Sequence, residues 1–163
     1  MKRIIIFVSI LLVSLAAQAQ DYRNLYQKYS DEENVTAVYI SPAMFKLIGK
    51  LPEVHINSGD VDFAPMIKSM TGFYMLQTED KELAEKINKD IHRVVDGKKF
   101  ELLMEVKDNG EKVNIFSLGD KDYLKSLVMT AFQGNETVFI SIDGLMKRED
   151  VEKAIGEAAK DLW

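Results

Sequence analysis

The chain has 163 residues, no cysteine, a formal net charge of −5 at pH 7, 47% hydrophobic residues and 29% charged residues. This length suits one domain, and the composition lies near the globular average, which argues against a disordered, fibrous or polytopic membrane protein. The acidic balance argues against a nucleic-acid partner, because neutralising phosphates requires a basic surface. Without cysteine, the chain cannot form disulfides, react through a thiol or accept a lipid anchor at a lipoprotein cysteine.

The first nineteen residues have the pattern of a secretory signal peptide. Lys2 and Arg3 form a basic start, and residues 4–17 are apolar apart from two serines. Residues 17–19 then give the small-x-small pattern of a cleavage site, and the apolar run is shorter than the roughly 20 residues of a membrane span. We therefore expect residues 1–19 to be removed before Gln20, which leaves a soluble, exported protein that is periplasmic or secreted.

An amphipathic helix is expected over residues 20–34, ahead of a single domain at residues 35–163. Four residues recur at i, i+3, i+4 and i+7 and so share one side of that helix: Tyr22, Leu25, Tyr26 and Tyr29. Tyrosines are rigid, amphipathic groups enriched at interfaces, so Tyr22, Tyr26 and Tyr29 are candidate partner-binding residues. The alternative is that this stripe packs the helix onto the rest of the domain.

The remaining chain alternates strand and helix patterns before a run of four strands. Strands are predicted over 34–41 and 72–78, each followed by a helical pattern, of which residues 80–95 give the clearest. A last helix is predicted from about Lys147 to Leu162. The predicted order is β-α-β-α-β-β-β-β-α after a short N-terminal helix. We expect an α+β fold with a mostly antiparallel sheet of about six strands and helices packed on one face.

The Asn109-Gly110 dipeptide predicts a tight hairpin, because a type I′ turn needs positive φ at both central positions. A two-residue loop then places Met104 opposite Ile115 on one face and Leu103 opposite Phe116 on the other. If no helix covers Leu103 and Phe116, they form an exposed apolar patch. Both are therefore further candidate partner-binding residues.

The chain contains no motif of a familiar enzyme class. It has two histidines and lacks the G-x-S-x-G elbow, the H-E-x-x-H helix, the Walker A loop and the G-x-G-x-x-G loop. We assign no catalytic residue and predict no cofactor. A site built from scattered carboxylates remains open, with Asp143 at a strand end as one candidate. Asp143-Gly144 is, however, first of all a turn pattern.

One loop holds the chain's candidate metal ligands. His55, Asp60 and Asp62 are close in sequence, and one imidazole with two carboxylates is a donor set for a metal ion with open coordination positions. The alternative is an exposed histidine followed by aspartates that cap the next helix. We favour the alternative, because aspartates are common at helix starts.

Five segments carry strand and turn patterns shared with a known family: residues 25–29, NVTAVYISPAMFKLIG (34–49), LQTEDKELAEKI (76–87), FELLMEVKDNGEKVNIF (100–116) and VFISIDG (138–144). They resemble a family of small exported bacterial proteins that is catalogued as domain of unknown function 4252. The resemblance implies a setting in the bacterial envelope and carries over no catalytic residue. Some members look like lipoproteins, and this chain differs from them because it lacks the acceptor cysteine.

Three functional hypotheses follow. The leading one is a non-enzymatic envelope module that binds a protein or surface partner through its sheet or its N-terminal helix. The second is a periplasmic carrier of an apolar small molecule or lipid, with a pocket of about 300–1,000 Å³ between helices and sheet. Four methionines would line that pocket: Met66, Met70, Met75 and Met104. The third is a small carboxylate-dependent hydrolase, which requires carboxylates that converge in a cleft with shifted pKa values.

Overall fold

A six-stranded antiparallel sheet forms the centre of the structure, a computed structural model that describes residues 20–48, 57–58, 61–62, 64–96 and 100–160. In chain order the elements are α1 (Gln20–Tyr29), β1 (Val35–Ile40), α2 (Pro42–Ile48), β2 (Asn57–Ser58), β3 (Val61–Asp62), α3 (Ala64–Ser69), β4 (Met70–Thr78), α4 (Lys81–Asp96), β5 (Glu101–Asp108), β6 (Glu111–Gly119), β7 (Tyr123–Gln133), β8 (Glu136–Lys147) and α5 (Arg148–Lys160). The strand order is β1-β4-β8-β7-β6-β5, and β2 pairs with β3 separately. The predicted α+β fold is confirmed.

Strands β5 to β8 form a run of hairpins in which each strand pairs with the next one in sequence. The first turn of this run is Asn109-Gly110, with φ values of 45° and 89°, as a type I′ turn requires. Strand β4 then pairs with β8, and β1 pairs with β4, so the first strand lies at one edge of the sheet.

Helices α1 and α4 cover one face of the sheet, which we call the helix face. Helix α4 begins at a side-chain cap, because Asp80 Oδ1 accepts a hydrogen bond from the Leu83 N–H at 3.0 Å. The apolar sides of both helices join the middle of the sheet in the main core, which comprises Tyr22, Leu25, Tyr29, Leu76, Ile87, Ile91, Val95, Val128 and Phe139. Helix α1 therefore shares its core with the domain that follows it.

The carboxylate of Asp90 links α4 to α1. Asp90 accepts hydrogen bonds from Lys28 Nζ at 2.5 Å and from the Tyr29 hydroxyl at 2.9 Å, and Arg93 of the same helix contacts it at 3.1 Å. The Lys28 ammonium is the main reason that the pKa of Asp90 lies below its ordinary value.

Helices α3 and α5 contact the opposite side of the sheet, which we call the second face. Met66 of α3 and Ile155 of α5 belong to a cluster with Leu127 and Ile142. Successive side chains of a strand point to opposite faces, so Leu127 and its core neighbour Val128 lie on different sides of β7. Helices were expected on one face of the sheet; in the structure α1 and α4 cover the helix face, and α3 and α5 cover one end of the second face.

The predicted pair of Leu103 and Phe116 is wrong. The register shifts between Leu102 and Met104, and Leu102 is the residue that pairs with Phe116. A bulge inserts one extra residue into a strand, so the alternation read from the turn fails beyond it. The Met104–Ile115 pair on the turn side of the bulge is confirmed.

The Asp143-Gly144 dipeptide is not a turn but part of β8, which continues to Lys147. Asp143 pairs with Gly72 on one side and Ser126 on the other. Gly144 permits a close approach, because a Cβ atom there would lie 2.4 Å from the carbonyl oxygen of Ser69. The glycine therefore reflects backbone packing rather than positive φ.

Candidate binding surface

Strands β7 and β8 carry hydroxyl groups beside Val128 and Phe139 on the buried helix face, and mainly apolar side chains on the second face. The buried helix face carries hydroxyl groups, at Ser126, Thr130, Thr137 and Ser141. The second face carries larger apolar side chains that are only half-buried, at Leu127, Met129, Ala131, Val138, Ile140 and Ile142. When one face of an antiparallel sheet meets solvent, that face is normally the polar one. The second face therefore has the composition of a surface that becomes covered.

Cross-strand pairing aligns the apolar side chains of the second face in two adjacent rows. The first row crosses all six strands through Val38, Met75, Ile140, Met129, Ile115 and Met104. The second row lies beside it and contains Val138, Ala131, Val113 and Val106. We call these two rows the apolar patch. At about 4.8 Å between neighbouring strands, the first row is about 24 Å long.

The apolar patch is partly accessible along most of its length. Val38 is 36% exposed, and the other patch residues are half-buried except Ile115, which is 8% exposed. The clusters formed by α3 and α5 reach Leu127 and Ile142, in the row next to the patch. Contiguous apolar surface of this kind marks interaction sites in soluble proteins.

An acidic border runs along the far side of the patch. Continuing each strand by two residues beyond the second row gives Asp108, Glu111, Gln133 and Glu136, which are paired in register. Gln133 donates a hydrogen bond to Glu111, and Gln77 donates one to Glu136 at 2.9 Å. Neutral amides thus hold two of the three carboxylates in place.

Two lysines of β5 and β6, next to the border in sequence, lie on the other side of the sheet. Lys107 and Lys112 face each other across β5 and β6, and Glu105 contacts both ammonium groups, at 2.7 Å and 3.2 Å. Within the described ranges, no lysine or arginine forms an ion pair with Asp108, Glu111 or Glu136. Among the described residues, the border therefore carries net negative charge beside the patch.

The tyrosines predicted to bind a partner lie on the helix face. Tyr22 and Tyr29 are core residues, 2% and 4% exposed. Tyr26 is half-buried, with its ring 5.6 Å from that of Tyr74, and Tyr39 stacks on Tyr74 at 5.0 Å. The stripe packs α1 onto the sheet, which is the alternative weighed for it from the sequence.

Leu103 and Phe116 also lie outside the apolar patch. Leu103 is half-buried at the bulge of β5, and Phe116 packs against the main core beneath the helices. Neither belongs to the two rows of the patch. The apolar pair that the sequence offered as a surface is therefore divided between a bulge and the core.

A half-buried carboxyl group lies near the tyrosines on the helix face. Burial raises the pKa of Asp143, while Ser126 and the charge of Arg23 partly lower it. Burial also raises the pKa of the Tyr74 hydroxyl. Asp143 thus combines a raised pKa with a position on the opposite side of the sheet from the apolar patch.

Two of the three predicted metal ligands, His55 and Asp60, lie outside the described residues, as does the side chain of Asp62. In the part of the chain that the structure covers, no group of three or more histidine, aspartate or glutamate residues is placed to hold a metal ion. Nor does any helix of that part have the length and apolar character to cross a membrane. The expected signal peptide, residues 1–19, also lies outside the described residues.

Two clefts are formed by described residues, and neither is lined by the predicted carrier methionines. One of about 560 Å³ lies where β1 and β4 meet the start of α4, and its lining includes Asn34, Gln77 and Asp80. Another of about 470 Å³ lies beside Arg148. Met75 and Met104 lie instead on the apolar patch.

Sequence reasoning missed the patch because it followed one strand pair at a time. The signal is present in residues 126–131, where serine, valine and threonine alternate with leucine, methionine and alanine. It indicates a surface only once pairing shows that β6, β8 and β4 carry similar side chains in the same rows.

A comparison with models of protein families finds a match. The family model described as Domain of unknown function (DUF4252) matches residues 29–154, which run from the last residue of α1 into α5. A comparison with curated proteins finds no similar sequence.

Proposed function

The chain belongs to the DUF4252 family, whose name assigns no function, and we propose that it is a binding module whose apolar patch takes a protein partner. The observation that carries the proposal is the set of half-buried apolar side chains that β7 and β8 place on the second face. Hydroxyl groups lie under the helices, and among the described residues the hydroxyls of Thr137 and Ser141 have no hydrogen-bond partner there. Met129 and Ile140 meanwhile remain half-buried on the second face.

A protein suits this surface better than a small apolar molecule does. Small ligands are held in concave pockets that bury most of their surface. The patch instead consists of two rows of side chains on the face of a sheet, the longer of them about 24 Å long. Met75, Met104 and Met129 make this face adaptable, because methionine is unbranched and its thioether is polarizable.

We place this module in the bacterial envelope. The signal-peptide pattern of residues 1–19 supports export, and the lack of cysteine supports a soluble form rather than a lipid-anchored one. An exported chain without disulfides depends on its core for stability, and the main core joins α1, α4 and the sheet.

Site-specific photocross-linking in intact cells tests the proposal. A benzophenone amino acid replaces Met129 on the patch in one variant and Lys89, an exposed residue of α4, in the other. We expect a discrete protein adduct from position 129 and none from position 89. Adducts of equal yield at both positions, or no adduct at position 129, would contradict the proposal.

A further inference from the structure

We infer that the partner's contact segment is cationic and amphipathic, with its apolar side on the patch and its lysine or arginine side chains at the acidic border. This inference rests on the proposed function and adds the chemistry of the partner. It follows from the arrangement of apolar rows and carboxylates on one face of the sheet.

The border and the patch share a face because they occupy alternate positions of the same strands. Asp108 follows Val106 by two residues on β5, and Glu111 precedes Val113 by two on β6. Glu136 likewise precedes Val138 on β8. Two residues of a strand span about 7 Å, so the carboxylates begin about 7 Å from the second apolar row. A partner segment bound on the patch would therefore place one of its sides against the acidic border.

The dimensions of the patch match a single helix. A row of about 24 Å corresponds to about 16 helical residues at 1.5 Å each. A helix is about 10 Å wide, so it covers both apolar rows, which are about 7 Å apart, and places its flank over the carboxylates. Apolar residues at helical spacing with basic residues along one flank would complement both features.

The charges distinguish this partner from two others. Asp108, Glu111 and Glu136 would be repelled by an anionic membrane surface, because like charges meet at the headgroups. A second copy of the chain would bring a second acidic border and a net charge of −5 to the contact. A basic segment instead gains charge complementarity, which favours fast association and specificity.

The experiment measures how the protein binds a synthetic 16-residue helical peptide of leucine and lysine, with leucines on one side. Two control peptides carry glutamate in place of each lysine, or the same residues in scrambled order. Binding is followed by fluorescence anisotropy. We expect binding of the amphipathic lysine peptide, weakening as salt is raised, and at least ten-fold weaker binding of both controls.

Matched variants test which residues contribute to peptide binding. The double variant Glu111→Gln with Glu136→Gln should weaken binding of the lysine peptide about five-fold, since each exposed ion pair contributes about 0.5 kcal/mol. Glu82→Gln with Glu85→Gln, two exposed residues of α4, removes the same charge and should leave binding unchanged. Met129→Thr should weaken binding of the peptide by at least five-fold. Melting temperatures confirm that each variant is folded.

The possible outcomes separate this inference from the proposed function. In one outcome, Met129→Thr abolishes the adduct formed in cells by a cross-linker at position 75, but the glutamine variant changes neither that adduct nor peptide binding. The patch then binds a partner that is not cationic, so this inference fails and the proposed function stands. If the lysine and glutamate peptides bind equally, the inference also fails. Stronger binding to phosphatidylglycerol vesicles than to the peptide, or a patch-dependent dimer, would overturn it in favour of a membrane or a second copy.

Discussion

Two aspartates on the helix face illustrate how neighbouring groups set the effect of a charge on stability. Asp90 lies among Lys28, Tyr29 and Arg93, which hold its pKa below the ordinary value. Asp143 lies where burial raises its pKa more than Ser126 and Arg23 lower it. Stability therefore depends on pH in opposite directions at the two residues.

Asp143→Asn should raise the melting temperature at pH 7. The native state of the wild type prefers the protonated carboxyl, so its stability falls as pH rises from the ordinary pKa of aspartate, about 3.9, through the raised native value. Asparagine keeps the shape without the charge. Thermal melts between pH 3.5 and 7 should show a gain that disappears at the acidic end, and a lower melting temperature at pH 7 would contradict this account.

Asp90→Asn should destabilise the protein by about 1 kcal/mol at pH 7, because the ion pair with Lys28 weakens and lies partly in solvent. The lowered native pKa means that this contribution is present above the ordinary pKa and is lost as pH falls through the native value. Urea unfolding at pH 7 and pH 3 measures it. Glu85→Gln on the exposed side of α4 serves as control, and an equal effect of both changes would refute the role of Asp90.

At the scale of elements, the glycines of β8 and α5 differ in the space available for an added alanine methyl group. At Gly144 a Cβ atom would lie 2.4 Å from the Ser69 carbonyl oxygen and 2.9 Å from the Met70 Cα atom. At Gly156 it would meet nothing within 4 Å. The two positions therefore form a matched pair for the same substitution.

Gly144→Ala should destabilise by about 1–3 kcal/mol, because the backbone of the α3–β4 junction must move away. Gly156→Ala should stabilise by about 0.5–1 kcal/mol, because alanine is the better helix former. Chemical denaturation measures both. Equal effects of the two changes would show that β8 does not approach Ser69 closely.

The sequence predicted those elements whose cause is local. The positive φ values of Asn109 and Gly110 and the apolar stripe of α4 are properties of short segments, and both were recognised. The bulge at Leu103 and the strand conformation of Asp143-Gly144 depend on partners distant in the chain. A dipeptide that favours a turn cannot reveal that β4 requires a glycine beside it.

At the scale of the molecule, the sheet has one face covered by α1 and α4 and one face with an accessible apolar patch. Prediction of the patch needed the order of all six strands, because its residues come from separate segments between Val38 and Ile140. The acidic border needed the same information. The candidate site is thus a property of the assembled sheet.

The same substitution on adjacent residues of β7 compares the two faces. Val128→Thr places a hydroxyl in the main core, where the wild-type side chain is 0% exposed, and should cost about 2 kcal/mol. Met129→Thr, on the half-buried patch, should cost less than about 1 kcal/mol. Urea unfolding of both variants checks this. A cost at Met129 as large as at Val128 would mean that the patch is covered in the free chain.

The most direct test of the central claim is the solvent accessibility of methionine methyl groups, measured by NMR with a soluble paramagnetic agent. Met75, Met104 and Met129 lie on the patch, whereas Met146 is 0% exposed and serves as internal control. We predict that the agent broadens the three patch signals but not that of Met146, and that the partner captured at position 129 restores them. Patch signals that are protected without a partner, or still broadened with it bound, would contradict the account.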